Sequence, residues 1–298
     1  MQPVGGRPDR DRAETDLADL KVTVAGLTLG LVDDAAVFPP ASAAVAAAVE
    51  AHRSHRLGSH PELVGPLLVR ASQTVDLLEA TRAGDDLRVG LVADGGLTGL
   101  VEAISLLFDH DDRAALSQVE IALPAGHAPG PATAVLLDQL AFSATAYIEV
   151  PRTGYLPALD VLAGDGVERA KYRTGGSSAE AFPTEAELAA FVSACAQRRL
   201  TFKLTAGLHR ALRNTSPQGF EQHGFLNVLA AVSASHDGAT ATDLEALLSH
   251  RDPVPVLQVL TGADVAAVRR SFASFGCCDV DDPIADLADL GVIEGAAT

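Results

Sequence analysis

The chain has 298 residues, is 48% hydrophobic but only 4% aromatic, and has no Trp, so its length and composition allow one large aliphatic core or two small domains. Its formal net charge of -17 argues against nucleic acid and against acidic membrane surfaces, because both are held by neutralising phosphates with Lys and Arg. No apolar run reaches the about 18 residues needed to span a bilayer, and Met1 to Asp16 lacks the apolar centre of a signal peptide, so a disordered leader (1–16) on a cytoplasmic protein is expected.

Short apolar runs alternate with helical stretches along the chain. Strands are predicted at Leu31 to Phe38, Leu67 to Ala71, Arg88 to Ala93, Val119 to Leu123, Ala146 to Val150, Arg169 to Arg173, Phe202 to Thr205 and Phe225 to Leu229. Helices are predicted between them at Ser42 to Arg53, Thr74 to Ala83, Leu97 to Phe108, Ala132 to Phe142, Leu156 to Ala163 and Glu185 to Arg198, the last opened by a Thr184/Glu187 capping box. The crossover from Ala206 to Gly224 offers only a short helical stretch, Leu208 to Arg213. Further helices are expected at Ala263 to Phe272 and from Asp282-Pro283, with Gly291 past its end. Strand–helix alternation of this kind implies right-handed crossovers and a parallel sheet. Eight strands point to an α/β fold, a TIM-like (β/α)8 barrel over 17–251, with 252–298 as a short helical cap packed on it; an open doubly wound sheet is the alternative.

The chemistry is expected where two lysines fall on consecutive late strands. In Arg169-Ala170-Lys171-Tyr172-Arg173, alternation puts Lys171 and Arg173 on one face, and in Phe202-Lys203-Leu204-Thr205 it pairs Lys203 with Thr205. Buried ammoniums are costly unless partnered or used. Glu149 alternates toward the same interior, as an ion-pair or proton-transfer partner. The strand-end positions also include Asp33, Asp34, Arg70, Ser72, Asp94, Glu120, Arg152 and Asn227. Lys171, Lys203, Glu149 and His209 are therefore the catalytic candidates. A lysine there could act as Schiff-base nucleophile, general base or anion anchor. The Thr174-Gly175-Gly176 turn has backbone N–H groups suited to an anion, with Arg173 as a forked donor. Thr205, Arg70 and Asn227 complete the expected substrate-binding set. The three cysteines make neither a disulfide framework nor a C-x-x-C pair, and no metal or cofactor is expected.

Two resemblances bear on this reading. The two-lysine arrangement is similar to class I aldolases of the deoxyribose-phosphate type, which implies Lys171 as the Schiff-base lysine and Lys203 as the residue that tunes it. Phe38-Pro39-Pro40-Ala41, Lys171-Tyr172-Arg173-Thr174-Gly175-Gly176, Phe202-Lys203-Leu204-Thr205-Ala206-Gly207-Leu208-His209, His223-Gly224-Phe225-Leu226-Asn227 and Phe275-Gly276-Cys277 resemble a family of uncharacterised bacterial barrel-like proteins. In that pattern a second His follows the first, and here Arg210 takes its place. The resemblance implies a shared fold and site over most of residues 31 to 292. The expected function is a lyase-type enzyme acting on a small anionic metabolite. Its variants are Schiff-base chemistry or elimination or cyclisation with loss of phosphate or sulfate. The rival is a non-catalytic barrel that binds a metabolite or a partner enzyme. A homo-oligomer is a further open partnership, and neither nucleic acid nor a membrane is expected as a partner.

Overall fold

Alternation between apolar and polar positions in each strand builds a closed barrel, because one face of every strand packs on helices and the other faces a shared interior. The structure is a computed structural model and describes residues 19–140 and 144–295; the expected leader and the end of the helix drawn to Phe142 lie outside these. Eight parallel strands close in the order β1, closing strand, β7, β6, β5, β4, β3, β2. They are β1 (Val32–Asp34), β2 (Val64–Arg70), β3 (Leu87–Val92), β4 (Ala114–Ala122), β5 (Thr145–Glu149), β6 (Arg169–Arg173), β7 (Phe202–Thr205) and the closing strand (Phe272–Cys277). Helices cover the outside, and the chain is an α/β TIM-like barrel. Among the described residues no helix is long and apolar enough to cross a membrane.

The eighth strand is not where the sequence placed it. Phe225 to Leu229 belongs to a helix, Phe225–His236, buried throughout its first nine residues. A helix buried on all sides has no polar face, so its short apolar run carries no period that separates it from a strand. The closing strand comes instead from the segment read as a cap. The helix Val265–Ser271 passes into Phe272–Cys277 with no Gly or Pro to mark the change, which is why Phe272 read as its end. Residues beyond 252 thus complete the barrel, and among the described residues the helix Asp281–Asp289 is the one element that follows it. The expected helix at Leu208 to Arg213 is irregular chain leading into a two-stranded hairpin, Asn214–Thr215 with Glu221–Gln222. The Thr184/Glu187 capping box forms as predicted, with each side chain bonded to the other's backbone N–H.

The outer face of β6 and β7 is held by aromatic packing. Tyr172 stacks on Phe191 at 4.3 Å between ring centroids, Phe202 meets Phe191 edge-on at 5.3 Å, and Phe202 stacks on Phe272 at 5.3 Å. These anchors fix the pleat, so the residues between them, Lys171 and Lys203, must face the interior. Their registers match across the sheet, Glu149 beside Lys171 and Lys171 beside Lys203.

Candidate active site

The barrel interior holds a chain of alternating charges. Lys203 Nζ bonds Asp33 Oδ2 and lies 2.5 Å from Glu120 Oε1. Glu120 Oε2 lies 2.6 Å from Lys171 Nζ, which lies 2.9 Å from Glu149 Oε2. Arg173 Nε donates to Glu149 Oε1 at 3.0 Å. The series Asp33, Lys203, Glu120, Lys171, Glu149, Arg173 contains three carboxylates and three cations, so each charge finds its opposite within the set. Ser274 Oγ and Gln118 Nε2 add hydrogen bonds to Asp33 at 2.9 and 3.0 Å, and the Tyr147 ring lies 5.2 Å from Lys203 Nζ. Gly65 makes room for this: a Cβ there would collide with the Asp33 carboxylate.

Exposure is graded along the series. The side chains of Lys203, Lys171, Glu149 and Arg173 are 0%, 5%, 15% and 51% exposed. Burial alone would raise the Glu120 carboxyl, but the Lys171 and Lys203 ammoniums outweigh it and bring its pKa down to about 2. Burial likewise opposes the Lys203 charge, yet Asp33 and Glu120 hold its pKa above the ordinary lysine value. For Glu149, Lys171 and Arg173 overcome burial and lower its pKa. Lys203 is therefore a fixed cation, and Lys171 is the ammonium nearer to solvent.

Of the residues singled out from the sequence, Lys171, Lys203, Glu149 and Arg173 come together, and Thr205 lies beside Arg173 in the register. Glu149 stands between Arg173 and Lys171, so Arg173 does not act on the lysine as an unscreened neighbour. The others have different partners. Asn227 sits in the helix Phe225–His236; its Oδ1 accepts from the Arg213 N–H and its amide donates to the Leu247 and His250 carbonyls. His209 lies on the rim, with Nδ1 3.6 Å from Cys277 Sγ and 3.4 Å from Asp282 Oδ2. Arg70 donates to the Val37 carbonyl at 3.1 Å and covers the Phe38 ring at 4.6 Å. Arg210, in the place of the second His, pairs with Asp286 at 2.6 Å.

The Thr174-Gly175-Gly176 turn serves packing. The Thr174 N–H donates to the Thr205 carbonyl at 2.8 Å, and its hydroxyl bonds the Ala206 carbonyl. A Cβ on Gly175 would lie 2.9 Å from the Gly207 backbone, where φ is +77°. The Gly175→Ala variant is accordingly expected to lose about 1–3 kcal/mol through overpacking, read as a lower midpoint in thermal unfolding.

Glu120, Asp33, Gln118 and Ser274 complete the site without having been assigned to it. The signal for the first was present in β4, where Gln118 and Glu120 are two residues apart and share a face. Ser274 had none, because its strand was not recognised. A second buried cluster joins Asp34 Oδ2 to His52 Nδ1 at 3.0 Å and His55 Nδ1 at 3.3 Å. Among the described residues no group of three or more His, Cys, Asp or Glu side chains is arranged to hold a metal ion. Comparison of the chain with protein-family models, curated proteins and solved structures returns no match.

Proposed function

We propose that the chain is a cytoplasmic small-molecule enzyme of lyase type, acting on an anionic carbonyl metabolite with Lys171 as the reacting amine. The observation that carries this reading is the choice of lysine. The chain has three lysines against nineteen arginines, and two of the three share one carboxylate inside the barrel. A structural ion pair is well served by the rigid fork of arginine, whereas an ammonium can give up its proton and become a nucleophile. Glu149 orients the Lys171 amine at 2.9 Å, and the proton is lost toward solvent at the more exposed end of the series. The freed lone pair attacks the carbonyl carbon, the carbonyl oxygen leaves as water, and an iminium forms, so that ammonium plus carbonyl becomes iminium plus water. Lys203 supplies fixed positive charge beside the developing centre, and half-exposed Arg173 faces the anionic group of the substrate. This division of labour follows the likeness to the deoxyribose-phosphate-type aldolases. An elimination that expels phosphate or sulfate would use the same groups, with Lys171 as base.

One observation favours a second reading, a non-catalytic barrel: the six charges satisfy one another and Lys203 has no exposure at all. Borohydride trapping separates the two. With dihydroxyacetone phosphate or glyceraldehyde 3-phosphate as probe, a reduced adduct is expected on the Lys171 peptide and absent in Lys171→Arg. Modification confined to exposed Lys21, or none with either probe, would count against Schiff-base chemistry and leave the elimination or the binding barrel, which loss of turnover in Lys203→Ala and Arg173→Ala would separate.

A further inference from the structure

The opposite end of the barrel carries a feature that the lysine site does not use. A groove of about 1000 Å³ opens at the N-terminal ends of β6, β7 and the closing strand, lined by Arg169, Arg199, Arg269, Arg270 and His236. A second cavity of about 260 Å³ shares Arg169 and Arg269 with it and reaches Asp33, Gln118 and Ser274 inside the barrel. Among the described residues none of these four arginines lies within 4.0 Å of a carboxylate. Four guanidiniums converging without carboxylate partners stand out in a chain of net charge -17.

Helix C-termini meet this face, and basic side chains are favoured there for about 0.3–1 kcal/mol each by the helix dipole. That accounts for exposed Arg199 and Arg270. It does not account for the half-buried pair. Arg269 is tethered by donating from Nη1 to the Phe272 carbonyl at 2.9 Å and from Nη2 to the Leu29 carbonyl at 3.0 Å. Arg169 is tethered by donating to the Tyr147 hydroxyl at 3.0 Å. Burial destabilises the Arg269 cation more than Asp33 and Tyr147 support it, and a guanidinium cannot relieve that by losing its proton. Two oriented, partly desolvated forks and two exposed ones fit several phosphate groups, each taken bidentately. The groove is lined by no Phe, Tyr or Trp on which a base would stack.

From this we infer that the N-terminal face of the barrel binds a small polyphosphorylated anion, with Arg169 and Arg269 as its fixed anchors and Arg199 and Arg270 closing over it. The groove lies at the end of the barrel opposite Arg173, and the smaller cavity connects it to Asp33, the partner of Lys203.

Calorimetric titration of the full chain with inorganic tripolyphosphate, at constant ionic strength, tests the assignment. One saturable site is expected, with a rise in the thermal midpoint that sodium chloride of equal ionic strength does not reproduce. Arg269→Met is expected to weaken binding about tenfold or more, the loss of one charge-assisted pair, while Arg210→Met, on the other face, binds as the parent does. Should Arg269→Met fail to fold, the exposed double variant Arg199→Gln/Arg270→Gln is the substitute and is expected to weaken binding by a similar factor. Absence of saturable binding at millimolar tripolyphosphate would overturn the assignment, as would unchanged affinity in the folded groove variants.

Discussion

Glu120→Ala is expected to lower the unfolding free energy by about 3–5 kcal/mol, the usual cost of removing one partner from a buried ion pair. The residue is 1% exposed and is the single bridge between two ammoniums. Without it Lys171 and Lys203 face each other with only Glu149 and Asp33 left to offset them, in an interior where an uncompensated charge finds little water. A domain with about 5–15 kcal/mol in total loses a large share of its margin. Arg173→Ala is the contrast: its guanidinium is half exposed, Glu149 keeps Lys171 as a partner when it is lost, and such pairs contribute no more than about 1 kcal/mol. Urea unfolding followed by circular dichroism measures both. The coupling is checked with Glu120→Gln/Lys203→Met, which should cost less than the sum of the two single changes because the second removes the charge that the first strands. A Glu120→Ala loss below about 1 kcal/mol would mean the interior is far wetter than its geometry implies.

Acid should unfold the protein in two stages. His223 is buried, its Nε2–H donates to the Pro183 carbonyl at 2.8 Å, and burial pushes its pKa down to about 4 from an ordinary 6.5. The unfolded chain therefore takes up a proton at His223 that the folded one refuses. The stability this represents is complete above pH 6.5 and is lost as pH falls to about 4. Glu120 follows in a lower window. Its folded pKa of about 2 against an ordinary 4.5 gives stability that is complete above pH 4.5 and is lost as pH falls toward 2. Each shift corresponds to about 3 kcal/mol, and Glu149, shifted in the same direction, adds to the lower stage. Stability measured by urea unfolding from pH 7 to pH 3 should fall first through the histidine window and then more steeply. His223→Gln should flatten the first part, and Glu120→Gln the second. A profile flat down to pH 4 in the parent would contradict the buried neutral histidine.

The catalytic candidates differed in how far strand alternation could locate them. Alternation depends on neighbours in the chain alone, so Lys171, Arg173, Lys203 and Glu149 could be placed on one interior face before any contact was known. Their partners come from strands far apart in sequence: Asp33 is 170 residues from Lys203, and Glu120 is 83. Nothing local distinguishes a carboxylate that will meet a lysine across a barrel from one that ends a strand in solvent. The same limit explains Asn227 and the Thr174-Gly175-Gly176 turn. Each has a residue type suited to a ligand, but packing against chain 14 or more residues away commits it to backbone instead.

By itself the sequence determined the alternating α/β order, the first seven strands and the faces of their side chains, because these follow from local periodicity, capping and turn chemistry. Only the tertiary structure decided which segment closes the barrel. A helix buried on all sides and a strand without turn residues before it carry no local mark. It also decided that the two lysines share a glutamate, and that four arginines with no carboxylate partner among the described residues collect at the far end. Both are consequences of closure, which brings residues together by strand order around the barrel rather than by distance along the chain.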